Sequence, residues 1–350
     1  MDKETARESI SRRRRPATGL IVATVLGSLM WLVSPSWAAA KSSHATSVVV
    51  PFHLEQPTGM TVAPNGLLFI ADQSLNRVLV RFPSGQLETV AGTGLAGFSG
   101  DGGLAANAEL NHPGAIALAS NGTIFVADVG NHRVRALLNH GRIATFAGDG
   151  ASNAETFTVG MKATDVAISP SGLAVAPDGR LWVTSGENVL ELSASGVIVA
   201  VVQVSRYSGG PAPFQPCDPE SVAVSPTGNL YIGCSGSHQL VERLSNGRDK
   251  IILSTYRPHD FPGLAFFKGG ALVIANHESL QAVVGNQLTT LFTYKVFGTA
   301  QRFVPSGVAI SANGTLYVNS QAGDGFTFGA GLAKVTPSNG DHLLRYWKER

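Results

Sequence analysis

Past residue 40 the apolar residues of the chain fall into short runs separated by turn residues, and one arrangement recurs six times. Each copy opens on Pro, often Pro-x-Gly, and continues with a short apolar run. A turn containing Gly and a second apolar run follow, as in PTGMTVAPNGLLFIAD from Pro57 and PGAIALASNGTIFVAD from Pro113. The other copies begin at Pro170, Pro219, Pro262 and Pro305, so the openings are 43 to 57 residues apart. Runs rich in β-branched and aromatic residues flanking Asn-Gly or Asp-Gly predict hairpins, because these pairs accept the positive φ of a tight turn. In most copies a third run follows, such as Arg77-Val78-Leu79-Val80-Arg81, and a fourth, such as Leu87-Glu88-Thr89-Val90-Ala91.

Four short strands per repeat are the pattern of a propeller blade, and a ring of such blades removes long free sheet edges. The expected fold is therefore all-β, a six-bladed β-propeller of four-stranded antiparallel blades occupying residues 41–350. Further strands are expected at Ser47–Phe52 and Asp341–Trp347, with the ring closed by pairing of the two termini. Composition agrees: 14% of the residues are charged, against about 25% in an average soluble domain, and there are 40 Gly and 18 Pro.

The first forty residues have a different character. Arg12 to Arg15 precede an apolar stretch from Gly19 to Val33, and small residues Ala38 to Ala40 follow. That order reads as a secretory signal peptide over residues 1–40, with an uncleaved anchor helix as the alternative. Ser11-Arg12-Arg13 leaves the general and the twin-arginine export routes both open. The expected location is exported: periplasmic, cell surface or extracellular. Residues 1–40 hold six of the 26 Lys/Arg and three of the 24 Asp/Glu, so the rest carries 20 − 21 = −1. The basic character thus belongs to the leader, and nothing in the remainder supports nucleic-acid binding.

Two cysteines, Cys217 and Cys234, sit at the two ends of a hairpin that turns at Pro226 to Gly228. In an oxidising compartment this placement predicts a disulfide stapling that blade. Asp72 and Asp128 end second strands and precede loops with Asn76-Arg77 and Asn131-His132-Arg133. A short carboxylate there suits loop N–H groups while Arg77 and Arg133 pair with carboxylates, so a structural role is expected for all four. The residues just ahead of each innermost strand should ring one mouth of the central channel. They include His112, Asp165, Asp218, Glu220, His259 and Asp260, types able to hold a divalent cation or to act as acid and base. Their distances from the following Pro differ, which favours ordinary polar loop and turn-capping roles over catalysis; they stand as candidate ligand-binding residues, no cofactor is firmly implied, and a calcium or zinc ion at this mouth is the open alternative.

The stretch from Gly92 to Arg135 closely resembles the NHL-repeat family of propellers. The resemblance rests on the linker Gly97-Phe98-Ser99-Gly100-Asp101-Gly102-Gly103, on Ala127-Asp128 and on Gly130-Asn131-His132-Arg133-Val134. It implies the six-bladed frame and, for function, an exported module binding a protein, glycan or cell-envelope ligand on one face. The alternative it implies is a metal-assisted hydrolase or lyase, similar to gluconolactonases or peptidyl-hydroxyglycine lyases, with its site at the channel mouth. A three-His zinc site would need imidazoles at matching places in separate blades, and only His112 and His259 offer them, with His53 more remote. No nucleic acid, no membrane span after leader cleavage and a monomeric state are the remaining expectations.

Overall fold

The computed structural model describes residues 54–152, 156–204, 217–244, 246–254, 262–267, 270–276, 279–284, 287–293, 305–320 and 331–335. The expected leader and the strands at Ser47–Phe52 and Asp341–Trp347 lie outside them, as do His53, His259 and Asp260.

The first blade is β1 (Pro57–Val62), β2 (Leu68–Asp72), β3 (Arg77–Arg81) and β4 (Leu87–Ala91). The second is β5 (Pro113–Leu118), β6 (Ile124–Asp128), β7 (Arg133–Leu137) and β8 (Ile143–Ala147). The third is β9 (Pro170–Val175), β10 (Leu181–Ser185), β11 (Asn188–Leu192) and β12 (Ile198–Gln203). The fourth is β13 (Pro219–Val224), β14 (Leu230–Cys234), β15 (Gln239–Arg243) and β16 (Asp249–Ser254). The fifth is β17 (Gly263–Phe266), β18 (Leu272–Asn276), β19 (Ser279–Val284) and β20 (Gln287–Thr293). The sixth repeat supplies β21 (Pro305–Ile310), β22 (Leu316–Ser320) and β23 (Gly331–Val335). All pairings are antiparallel between sequence neighbours. The structure differs from the expected six: the described residues complete five four-stranded blades, and the sixth repeat forms a three-stranded sheet of β21, β22 and β23.

The first strand of each sheet packs against the first strand of the next, from β1 through β5, β9, β13 and β17 to β21, and β21 packs on β1. The repeated Pro-x-Gly is explained at these junctions. A Cβ on Gly59 would fall 2.7 Å from the Ala115 Cα, one on Gly172 3.0 Å from the Ser221 Cα, and one on Gly263 2.8 Å from the Gly307 Cα. Inner strands this close exclude a side chain at that level, so glycine recurs for lack of a Cβ. Hydroxyls one residue earlier tie the junctions: Thr58 donates to the Pro113 carbonyl (3.2 Å) and Ser171 to the Pro219 carbonyl (3.1 Å). Across the closing junction the Asn319 Nδ2 donates to the Thr58 carbonyl at 2.7 Å.

The core lies between blades. Phe69, Val78 and Val80 of the first blade pack with Ile116, Ile124 and Val126 of the second, and Phe125 and Val134 pack with Leu173, Val183 and Leu190 of the third. The connectors after β4 and β8 repeat one path. Gly92 and Gly148 take φ of +93° and +90°, where an L side chain is strained, and donate to Ala105 and Ala163. Each connector then runs along the outermost strand of the next blade: Gly102 donates to Ile143, which donates to Gly103, and Gly160 donates to Ile198, which donates to Met161. A strand edge that could pair with another chain is thereby partly occupied by the protein's own backbone.

Candidate functional site

Where a second strand meets the residues leading into its inner strand, the chain builds a latch. Asp72 is fully buried; its Oδ2 accepts the Glu55 N–H (2.7 Å) and its Oδ1 those of Gln56 (3.0 Å) and Leu75 (3.2 Å). In the second blade Asp128 accepts the Asn111 N–H (2.7 Å), Asn131 Nδ2 (2.8 Å) and Arg135 Nη1 (3.2 Å). The third blade has Ser185 in this place, its Oγ accepting the Ser169 N–H at 2.9 Å. In the fourth, Cys234 occupies it and is bonded to Cys217, with Cα atoms 4.8 Å apart. Cys217 stands two residues before Pro219, as Glu55 does before Pro57 and Asn111 before Pro113. One mechanical task is thus performed by a carboxylate, a hydroxyl and a disulfide in successive blades.

The arginines of the loop motif act differently from the expectation that they pair with carboxylates. Arg77 Nη2 donates to the Thr93 carbonyl (2.8 Å), and Arg133 donates to those of Asn131 (3.0 Å) and Asp149 (2.6 Å). Both guanidinium groups reach into the start of a connector, because the β3 and β7 strands aim them past the end of β4 and β8. Gly94 and Gly150, at φ of +98° and +94°, leave room for them.

Carboxylate pairing falls instead to Arg135, a residue not singled out from the sequence. Its side chain is 0% exposed and bonds Asp128, the Ser99 carbonyl (3.0 Å) and Asp101 (2.6 Å). The Phe98 ring lies beneath both Arg133 (3.9 Å) and Arg135 (4.8 Å), a cation–π arrangement. The signal was present in the repeats: the matching third-strand positions hold Leu79, Leu190 and Val241, so an arginine there is out of pattern. Burial pushes the Asp128 carboxyl up, against the pull of Asn131, the Asn111 N–H and Arg135. Partial burial also opposes ionisation of Asp101, yet bonds from Thr145 (2.7 Å) and Arg135 outweigh it and hold that carboxyl below the usual range. A group with a depressed folded pKa stabilises above its unfolded value near 3.8 and loses that contribution as pH falls through the folded one. Thermal unfolding should therefore separate wild type from Asp101→Asn at pH 7, with the wild type more stable, and the gap should close as pH falls below the unfolded value and through the lowered folded one. Asp101 is 42% exposed, so solvent screening limits the gap to about 1 kcal/mol.

At the channel mouth a cavity of about 500 Å³ is bounded by all six inner strands. Of the sequence candidates, Glu220 on β13 lines it. His112 is exposed, with φ +52°; its N–H donates to Asn76 Oδ1 (2.9 Å) and its Nδ1 is 2.6 Å from Asn111 Oδ1. Asp165 is exposed at the end of a short 3-10 turn (Ala163–Asp165) and accepts the Thr164 hydroxyl. Asp218 is exposed, and its carbonyl accepts the N–H and hydroxyl of Ser235. His112, Asp165 and Asp218 do not line the cavity. Among the described residues no three His, Cys, Asp or Glu side chains gather as a metal centre would require, and no helix is long and apolar enough to cross a membrane.

The family model of the teneurin NHL domain matches residues 53–138, the stretch that holds the latch, the arginine clamp and the first connector. That stretch is similar to an NHL domain. Human teneurin-4 is 35% identical to this chain over 103 residues, 26% of this chain and 4% of the teneurin. The Arabidopsis thaliana chloroplastic protein Suppressor of Quenching 1 is 34% identical over 90 residues, 25% of this chain and 8% of that protein. The NHL repeats therefore correspond to a small part of these relatives. Among solved structures, a gluconolactonase from Xanthomonas campestris superposes with a TM-score of 0.55 at 16% identity, covering 77% of this chain and 84% of that one. A streptogramin B lyase does so with a TM-score of 0.52 at 12% identity, covering 82% and 85%. These two likenesses concern the fold alone.

Proposed function

We propose that the protein is an exported, monomeric six-bladed NHL propeller that binds a protein partner through the connectors of its first three blades. The observation that carries this reading is the distribution of exposed apolar side chains. Among the described residues the large ones are Leu95, Phe98, Leu104, Leu138, Val159 and Met161. Five of them lie on the two connectors after β4 and β8. The sixth, Leu138, faces the first of these: Leu104 bridges to Arg142, and the Leu138 N–H donates to the Arg142 carbonyl. Leu95 is 66% and Leu104 56% exposed. Apolar residues scattered singly need no explanation, but their concentration on one kind of segment marks an interaction surface.

The six-bladed count is supported by spacing. From the end of the third strand to the start of the fourth the step is six residues in four blades: Arg81 to Leu87, Leu137 to Ile143, Leu192 to Ile198 and Arg243 to Asp249. The same step from Val335 reaches Asp341, where the apolar run to Trp347 begins. Export is supported by the leader-like residues 1–40 and by the Cys217–Cys234 disulfide.

The test is site-specific photo-crosslinking in the native host, with the crosslinker at Met161. A discrete adduct is expected, and it should vanish in Leu95→Asp/Leu104→Asp while the Tm stays within a few degrees. An adduct unchanged by that pair would remove the connectors from the interface. The second reading, a metal-assisted hydrolase or lyase at the channel mouth, is favoured by Glu220 lining the cavity; it requires about one tightly held metal ion per chain in protein purified without a metal-affinity step.

A further inference from the structure

Connector segments strap the outermost strands of the second and third blades, β8 and β12; among the described residues none straps β4, the outermost strand of the first. We propose that the open edge of β4 pairs with an extended strand of the protein partner, which joins the blade antiparallel and sets a glycine against Leu87. This rests on the protein-binding reading above and adds to it the mode of pairing and the chemistry of the segment bound.

The register of the two straps defines the site. On β8 the Ile143 carbonyl accepts the Gly102 N–H (2.8 Å) and the Ile143 N–H donates to the Gly103 carbonyl (3.1 Å), with Leu104 bridging antiparallel to Arg142. On β12 Ile198 makes the same two bonds with Gly160 (2.8 Å) and Met161 (2.9 Å). Ile143 stands opposite Leu137 and Ile198 opposite Leu192, the place that Leu87 takes opposite Arg81. The N–H and carbonyl of Leu87 therefore point away from β3, and by the alternation of an antiparallel ladder so do those of Thr89. Among the described residues neither has a backbone partner on that side. Such a row of unpaired groups is a template for another strand. β4 has no Pro or Lys to blunt it, and the carboxylate of its one charged residue, Glu88, accepts from Gln86 Nε2 at 3.1 Å.

The straps also show what an outermost edge accepts. Each meets its isoleucine with a glycine in the left-handed region, Gly102 at φ +78° and Gly160 at +97°, and a large apolar residue follows, Leu104 or Met161. A side chain is strained in that conformation, so the glycine is part of what the edge selects. These glycines stand eleven residues before Pro113 and ten before Pro170. At the same distances before Pro57 the chain has Thr46 and Ser47, which points to another molecule as the source of the matching segment. β4 leads through Gly92 directly into the connector that carries the exposed Leu95 and Phe98, so one partner covers the edge and the apolar surface together.

The experiment begins with the free, full exported chain and reads amide exchange by NMR. The Leu87 and Thr89 amides should exchange at least about tenfold faster than those of Ile143 and Glu88. Equal protection at Leu87 and Ile143 overturns the proposal, because the protein would already cover this edge itself. A photo-crosslinker is then placed at Gln86, the counterpart of Arg142, in the native host. An adduct is expected with another polypeptide, at a segment holding Gly followed by a large apolar residue. It should be lost in Thr89→Pro, which removes an outward N–H and is tolerated on an edge strand, and kept in Thr89→Val. No adduct, an adduct with a second copy of this chain, or one undiminished in a folded Thr89→Pro protein overturns the proposal. The Met161 crosslink reports the connector reading separately. Its adduct without one at Gln86 sinks strand pairing alone, and the reverse sinks the connector surface alone.

Discussion

Replacing Asp128 by Ala is expected to destabilise the protein by about 3–5 kcal/mol, read by urea unfolding. The side chain is 0% exposed and serves three donors at once, the Asn111 N–H, Asn131 and Arg135. Its loss strands a fully buried guanidinium whose other carboxylate, Asp101, is partly in water, and leaving one member of a buried pair alone costs far more than a surface ion pair contributes. The third blade shows how the same place is filled without charge: Ser185 stands for Asp128 and Leu190 for Arg135. Asp128→Ser/Arg135→Leu should therefore be less damaging than Asp128→Ala alone, although it alters two residues. If the double variant loses as much as the two single changes summed, the stranded-charge account is wrong.

The second large effect concerns the fourth blade. Removing the disulfide in Cys217→Ala/Cys234→Ala should cost about 3 kcal/mol, as expected for a closed loop of this size. The latch equivalence adds a sharper expectation. Cys234→Asp with Cys217→Ala places a carboxylate where Asp72 and Asp128 stand, ahead of a loop whose Ser235 N–H donates to the Asp218 carbonyl as the Gln73 N–H does to Gln56. That variant should regain about 1–2 kcal/mol through N–H bonds to the charged group. It should also be indifferent to reducing agent, whereas the wild type loses stability in dithiothreitol. A carboxylate variant no more stable than the alanine pair would show that the disulfide and the carboxylate do different work.

The repeat frame was legible because it follows from backbone sterics. Pro opens each inner strand, Gly59 and its counterparts face a neighbouring backbone, and Gly66, Gly122, Gly179, Gly228 and Gly314 take positive φ in the hairpin turns. Such needs leave the same residue at the same place in each copy. The candidate site was less legible. Position before the Pro does not report which way a side chain faces, since a bulge between Pro57 and Met60, repeated in β5, β9, β13 and β21, reorients the strand at its entry. Glu220 lies within that irregular stretch and lines the cavity, whereas His112 precedes it and turns its backbone toward Asn76. The role of Arg135 depended on Asp101, 34 residues earlier, reaching it along the outside of the blade, a path no local pattern announces.

The junction between β21 and β1 differs in kind from the other five. Elsewhere the chain itself passes from one inner strand to the next, so neighbours are tethered; here the Asn319 to Thr58 bond joins residues 261 apart. Bringing such distant segments together carries the largest loop-closure entropy in the ring and rewards the chain only once every intervening repeat is in place. Assembly is accordingly expected to finish at this seam, and thermal opening to start there. A ring that has parted at the seam presents the bare flank of β1 to the β21 of another molecule, the geometry from which a swapped dimer or an open chain of rings would grow.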